Sequence, residues 1–369
     1  MGMTTPPFTA LVRELPATVP FLAPDALQRS SGRALHLRLG ANESPFGVSP
    51  SAREAMLSAM ERAAWYADPE SYELRTELAR VHVIGIGHLV IGSGIDDLLG
   101  LVVRTYVERG DRVVTSLGAY PTFSYHVAGY GGELHRVPYR DGCNDLQALA
   151  ETAHRVGAKM VYLANPDNPT GTWHTAGALS DFLCALPPRC LLVLDEAYAE
   201  FAPEGVILPM CAEDERIIRM RTFSKAHGMA GLRIGYAIAA KETIRAFDKI
   251  RLHFGVNLIA QAGALASLRD PDFVKGVVRE VAEGREDYHR MAAEFGLASL
   301  PSATNFVAVD LGTPQRAKAM VDHLLERDVF IRMPGAPPLD RYIRLSVGAP
   351  EERAAFRPIF REMLDTLPF

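Results

Sequence analysis

Between about residue 45 and residue 250 the chain alternates short apolar runs with longer stretches of helical period. The runs are HLVIG (88–92), DRVVTSL (111–117), MVYLAN (160–165), CLLVLDEAY (190–198), RIIRMRTF (216–223) and RIGYAIA (233–239). Most are apolar at nearly every position, the pattern of strands covered on both faces. Amphipathic segments separate them, such as IDDLLGLVVRTYVERG (95–110), which ends on Gly110. Repeated strand–helix alternation predicts a doubly covered, parallel α/β sheet.

The pattern changes after about residue 255. A long helical region (257–296) leads into ATNFVAVDL (303–311), VFIRM (329–333) and RYIRLSVG (341–348), which are shorter and more alternating. They predict a smaller α+β domain. The first 35 residues or so are rich in proline and lack a strong period. They read as an extended arm with a short helix. The expected division is an arm over 1–40 that forms part of the small domain, a large domain over 41–260, and the small domain over 261–369.

Composition narrows the class. Of 369 residues, 48% are apolar and 22% charged, enough for a large core and against wholesale disorder. The formal charge of −5 gives no reason to expect nucleic acid or an anionic membrane as the main partner. No run approaches the ~18 apolar residues of a membrane span. The start, MGMTTPPFTALVRELP, lacks the basic residues and apolar run of a signal peptide, and Pro6 breaks the myristoylation pattern after Gly2. The expected location is the cytoplasm. Cys143, Cys184, Cys190 and Cys211 form no C-x-x-C pair and no metal spacing, so they read as reduced thiols and no metal site is expected.

Sheets of this kind bind ligands beyond the carboxyl ends of their strands, so the polar residues that close each run carry the chemistry. In IGSGIDD (91–97) a strand meets two glycines and a helix start, where backbone N–H groups favour phosphate. Alone the string is a weak signal, better explained by an ordinary βα turn, and the third glycine of a dinucleotide fingerprint is missing. NPDNPTG (165–171) follows MVYLA; it makes a tight turn for local reasons and would aim Asn168 into a site. In LVLDEAYAEF (192–201), Asp195 and Glu196 close an apolar strand. They either cap the next element or, if buried, require a cation or several donors. In RTFSKAHGMAGLRIGY (221–236), Lys225 sits among Thr222, Ser224 and Arg233. A lone lysine is ordinarily a surface charge. Hydroxyls and a second cation beside it are the parts of a phosphate site, and crowding by cations lowers an amine's pKa. A neutral amine is what Schiff-base chemistry needs.

Taken together, LGANESPFG (39–47), WYADPES (65–71), IGSGIDD, AYPTFSY (119–125), NPDNPTG, LDEAY, TFSKAHGMAGLRIGY and YIRLSVG resemble the class I/II aminotransferases of fold type I. Within them the chain looks most like the histidinol-phosphate aminotransferase group, over about residues 36–348. The resemblance implies an α/β fold with a mostly parallel seven-stranded sheet plus the small domain, and pyridoxal 5'-phosphate as cofactor. It implies that Lys225 holds the cofactor and shuttles the proton, that Asp195 pairs with the ring nitrogen, and that Asn168 and Tyr198 bond its phenolic oxygen. Phe123 would stack on the ring. Ile95, Asp96, Thr222, Ser224 and Arg233 would hold the phosphate, joined by Tyr66 from a neighbouring subunit, so a homodimer with shared sites is implied. Asn42 would lie at the entrance. Arg344 would grip the substrate's anionic group, with Arg332 as a second contact. The implied reaction moves an amino group from histidinol phosphate or a similar donor to 2-oxoglutarate in two ping-pong halves.

One position departs from the group. Its members usually carry a tyrosine near the N-terminus that contacts the substrate phosphate, and here Phe21 stands in that place. Phenylalanine cannot donate a hydrogen bond. An aromatic or other amino donor, or a decarboxylation on the same scaffold, therefore stays open.

Overall fold

The computed structural model describes residues 6–17 and 23–366. Phe21 lies outside them. The apolar runs form a seven-stranded sheet from β1 (Leu89–Gly92), β2 (Arg112–Ser116), β3 (Glu133–Val137), β4 (Met160–Ala164), β5 (Leu191–Asp195), β6 (Ile217–Thr222) and β7 (Gly235–Ile238). Their order is β1-β7-β6-β5-β4-β2-β3. The β3–β2–β4–β5–β6 pairs are parallel, whereas β7 is antiparallel to both β6 and β1. β6 and β7 are joined by a loop with only one 3₁₀ turn, Ala230–Leu232, and no crossover helix. A return without a crossover produces an antiparallel neighbour. That loop carries Lys225.

Continuous apolar runs bury both faces of the sheet. Leu191 and Val193 of β5 enter one core, and Leu192 and Leu194 enter another on the opposite face. Strand β3 is absent from the runs recognised above. Its sequence ELHRV is polar and mostly only partly buried, as suits the last strand of the sheet.

The smaller sheet is Tyr342–Ser346 against Phe306–Asp310 against Ala298–Ser299, all antiparallel. Leu37–Arg38 pairs in parallel with Val329–Phe330, and Leu37 and Leu39 share a core with Phe306, Ile343 and Leu345. The helical region 257–296 is two helices, Leu258–Leu268 and Pro271–Glu294, because Pro271 opens a new helix that the Asp270 side chain caps. The first packs on the helices Pro50–Met60 and Tyr72–His82; the second sends Val277, Val281 and Tyr288 into the small-sheet core. A division at 260/261 would therefore cut the first helix. The amino-terminal arm holds two helices, Ala10–Glu14 and Pro24–Ser31, where one was expected. No helix among the described residues is long and apolar enough to cross a membrane.

Candidate active site

A cavity of about 600 Å³ opens between the carboxyl ends of the large-sheet strands and the small sheet. It gathers Asn42, Ile95, Asp96, Asn168, Asp195, Tyr198, Thr222, Ser224, Lys225, Arg233, Arg332 and Arg344, residues drawn from most of the chain.

Asp195 ends β5 and is buried. Its Oδ2 accepts from the Tyr162 hydroxyl (2.7 Å) and its Oδ1 from the Ala197 N–H (3.0 Å). Burial raises its pKa to about 6, the Tyr162 and Ala197 bonds opposing the rise. No ion pair to Asp195 is present among the described residues. Lys225, just beyond β6, donates from Nζ to the Asn42 carbonyl (3.0 Å). Burial lowers its pKa to about 8, and the neighbouring Arg344 and Arg233 push in the same direction.

At one end of the cavity the helix Ile95–Tyr106 begins after Gly94, whose φ is +84°, with no side-chain cap on its N–H groups. A Cβ at residue 94 would sit 2.5 Å from Nη2 of Arg233, so glycine is what lets the guanidinium lie against this turn. Arg233 reaches Asp96 Oδ2 at 3.4 Å, and Thr222 and Ser224 bond one another at 2.9 Å. Hydroxyls, a guanidinium and a helix start converge there, as a phosphate requires.

The opposite wall is cationic. Arg344 and Arg332 face each other across a β-bridge. Arg344 donates to Asn168 Oδ1 (2.6 Å) and, at longer range, to the Gly40 carbonyl (3.4 Å), while its Nε is buried without a partner. Burial lowers its pKa to about 10, with Arg332 adding to the shift, and burial likewise lowers that of Arg332. Two half-buried guanidinium groups on one wall suit an anionic ligand. Asn168 is presented by a turn locked from behind. Asp167, buried, accepts from Tyr139, Asn144 and both the N–H and hydroxyl of Thr170.

Several expectations change. Phe123 does not line the cavity. It is fully buried in the core, stacked on Tyr162 with ring centroids 4.5 Å apart. It lies inside the helix Pro121–Gly129, whereas Tyr120, just before the helix-opening proline, faces the cavity and donates to Asp96 Oδ1 at 2.8 Å. Asn42 is not at an open entrance but 2% exposed. Its Nδ2 donates to the Tyr198 hydroxyl (2.8 Å), and its Oδ1 accepts from Ser346 (3.1 Å). Tyr66 is 85% exposed, outside the cavity, against Phe254. Tyr120 and Tyr162 were missed. The signal for Tyr162 was present: a phenol inside an otherwise apolar strand needs a hydrogen-bond partner.

The donor set fits a flat, phosphorylated heterocycle. Among the described residues Asp195 has no cation partner, glycine at 94 lets the Arg233 guanidinium lie against the helix start, and Lys225 lines the same cavity. No cluster of metal-ligating side chains occurs among the described residues.

Residues 36–356 match the family described as aminotransferase class I and II. Histidinol-phosphate aminotransferase 1 of Bacillus anthracis is 33% identical over 356 residues, 95% of each chain. Histidinol-phosphate aminotransferase of a Geobacillus species is 31% identical over 358 residues, 96% of this chain and 97% of that one. The crystal structure of histidinol-phosphate aminotransferase from Sinorhizobium meliloti in complex with pyridoxal-5'-phosphate is 48% identical, with a TM-score of 0.94, over 97% of this chain and 98% of that one.

Proposed function

Because this chain belongs to the aminotransferase class I and II family, we propose that it is a pyridoxal-phosphate transaminase whose amino donor is histidinol phosphate and whose acceptor is 2-oxoglutarate. The observation that carries the reading is the presence on one cavity of a half-buried lysine with a lowered pKa, a buried carboxylate with no cation partner among the described residues, and two guanidinium groups.

Bound there, the cofactor supplies an electrophilic carbon and an electron sink for a carbanion. The protein's part follows from its side chains. Lys225, with its lowered pKa, holds a larger neutral fraction near neutral pH than an ordinary lysine, so its Nζ serves as nucleophile and then as proton carrier. Asp195 offers an uncompensated negative charge to a ring nitrogen and keeps that nitrogen cationic. Asn168 spends its carbonyl on Arg344, which leaves its amide N–H groups for a phenolic oxygen beside the Tyr198 hydroxyl. The N–H groups of Ile95 and Asp96, Thr222, Ser224 and Arg233 hold the phosphate. Tyr120, rather than Phe123, presents its ring to the cofactor. Arg344 and Arg332 orient the donor's anionic group and, in the second half-reaction, a carboxylate of the oxo acid. Burial of Asp195, Tyr198, Thr222 and Ser224 limits the access of bulk water to the reacting atoms.

The enzyme works as a homodimer with Tyr66 reaching the partner's phosphate site. Support comes from the exposed Leu57, Met60, Trp65, Tyr66 and Phe254, a set of large apolar side chains in need of cover. The cytoplasm is the proposed location, where the four free cysteines stay reduced. The two-domain reading places Leu37–Arg38 with the small sheet and moves the second boundary to the break at Asp270.

The test is a donor panel with purified protein, pyridoxal phosphate and 2-oxoglutarate. Glutamate should form with histidinol phosphate, and borohydride should fix the cofactor on Lys225. Glutamate only with phenylalanine or tyrosine would reject the donor, and carbon dioxide without an acceptor would reject transamination. For the dimer, chains carrying Lys225→Ala and Tyr66→Ala, each inactive alone, should regain activity when mixed, because one site of the hybrid then carries neither change.

A further inference from the structure

Tyr162 lies on β4, beside β5 in register, with Ala164 opposite Asp195. It is 1% exposed. Its hydroxyl donates to Asp195 Oδ2 at 2.7 Å, and its ring is stacked on Phe123 at 4.5 Å with a 15° interplanar angle. Phe123 is itself fully buried in the helix Pro121–Gly129. The phenol is thus clamped on its face and has one acceptor. Asp195 is held by one donor on each oxygen, and its remaining lone pairs turn to the cavity.

We propose that Tyr162 is the positioning residue for Asp195, aiming that carboxylate at the cationic ring nitrogen of the cofactor, and that Phe123 fixes Tyr162 in the rotamer that does so. The inference rests on the pyridoxal-phosphate reading and deepens it.

The surroundings leave Tyr162 this task alone. Burial, Asp96 and Glu196 all disfavour the charge on Asp195; the Tyr162 hydroxyl and the Ala197 N–H favour it. Of those two only Tyr162 is a side chain. Tyr198 and Tyr120 also line the cavity, but their hydroxyls bond Asn42 and Asp96. The Arg219 and Arg221 guanidinium groups are taken by Glu196. Burial and the adjacent Asp195 raise the phenol's pKa well above its ordinary value, so it stays protonated and remains a donor at any working pH.

The experiment uses the holoenzyme with Tyr162→Phe, which keeps the stacked ring and deletes one charge-assisted bond. Cofactor Kd, read by absorbance on titrating the apo form, should rise about tenfold, and kcat should fall about tenfold. KM for the donor should stay within about twofold. The acid limb of kcat should move up by about one pH unit, because a carboxylate that loses a donor is a weaker acid and loses its charge at higher pH. Phe123→Leu, which loosens the clamp without touching Asp195, should shift Kd and the acid limb the same way by less, and it serves if Tyr162→Phe does not fold. A lower Tm with Kd and acid limb unchanged overturns the inference and leaves Tyr162 a packing residue. If the parent protein itself binds no pyridoxal phosphate, it is the underlying reading of the site that fails.

Discussion

Asp195 and Glu196 are consecutive at the end of β5, yet one faces the cavity and the other faces the interior between β5 and β6. Both are almost fully buried. Glu196 accepts two bonds from Arg219 (2.6 and 3.0 Å) and one from Arg221 (2.9 Å). Burial pushes its pKa up, but Arg221 and Arg219 outweigh that and hold it below the usual carboxylate range. Asp195 has two donors and, among the described residues, no cation, and its pKa rises to about 6. The same contrast holds among the arginines: Arg219 is closed off by its carboxylate, whereas Arg344 keeps a buried Nε without a partner. Charges that are settled inside the protein hold the sheet; charges left unsettled mark where a ligand completes the set.

The comparison can be broken from either side. Lys225→Ala should remove the nucleophile and proton carrier together, with a loss of roughly 10⁴-fold or more in kcat and no Schiff-base absorbance. Glu196→Gln and Asp195→Asn form the sharper pair. The first leaves Arg219 without its anion and Arg221 with only Glu200 at 3.8 Å, and should cost about 3–5 kcal/mol of stability, read by urea unfolding. The second should leave the apo protein at least as stable as the parent at neutral pH, since that carboxylate is ionised there against its burial, yet lower kcat by roughly 10²–10³-fold. Equal effects of the two changes on stability would erase the distinction.

A smaller effect is expected on the anionic wall. Arg344→Ala should reduce kcat/KM for histidinol phosphate by roughly 10²-fold, mostly through KM. Smallest is a shift in pH dependence. Neutral amine at Lys225 rises with pH up to about 8, so cofactor capture by the apo protein should accelerate about tenfold per unit below that value and level off above it. Arg344→Ala removes a cation that lowers this pKa, and the plateau should begin at higher pH.

Much of this arrangement was legible in the linear chain because each apolar run stops at a polar residue, and those stops are the strand ends that meet at the cavity. Asp195, Asn168, Thr222 and Lys225 could be found that way. The residues that escaped have physical reasons. β3 is polar because it lies at the sheet edge, so it shows no continuous run. Phe123 and Tyr120 share one motif, and only the position of the helix start decides which of them faces the cavity. Asn42 precedes any recognisable element, and its burial is set by Ser346, Tyr198 and Asn305, partners remote in sequence. Those contacts have no local signature.

That last set of bonds bears on how the protein is made. The Lys225 amine is held by the carbonyl of Asn42, which also accepts from Asn305, while Ser346 bonds the Asn42 N–H. A growing chain on the ribosome can complete the seven-stranded sheet, Lys225 included, long before residues 305 and 346 have been synthesised. Until they emerge, two of the bonds that fix Asn42 are missing and the Arg344 side of the cavity has not formed, so the lysine's surroundings are finished only when the small sheet docks.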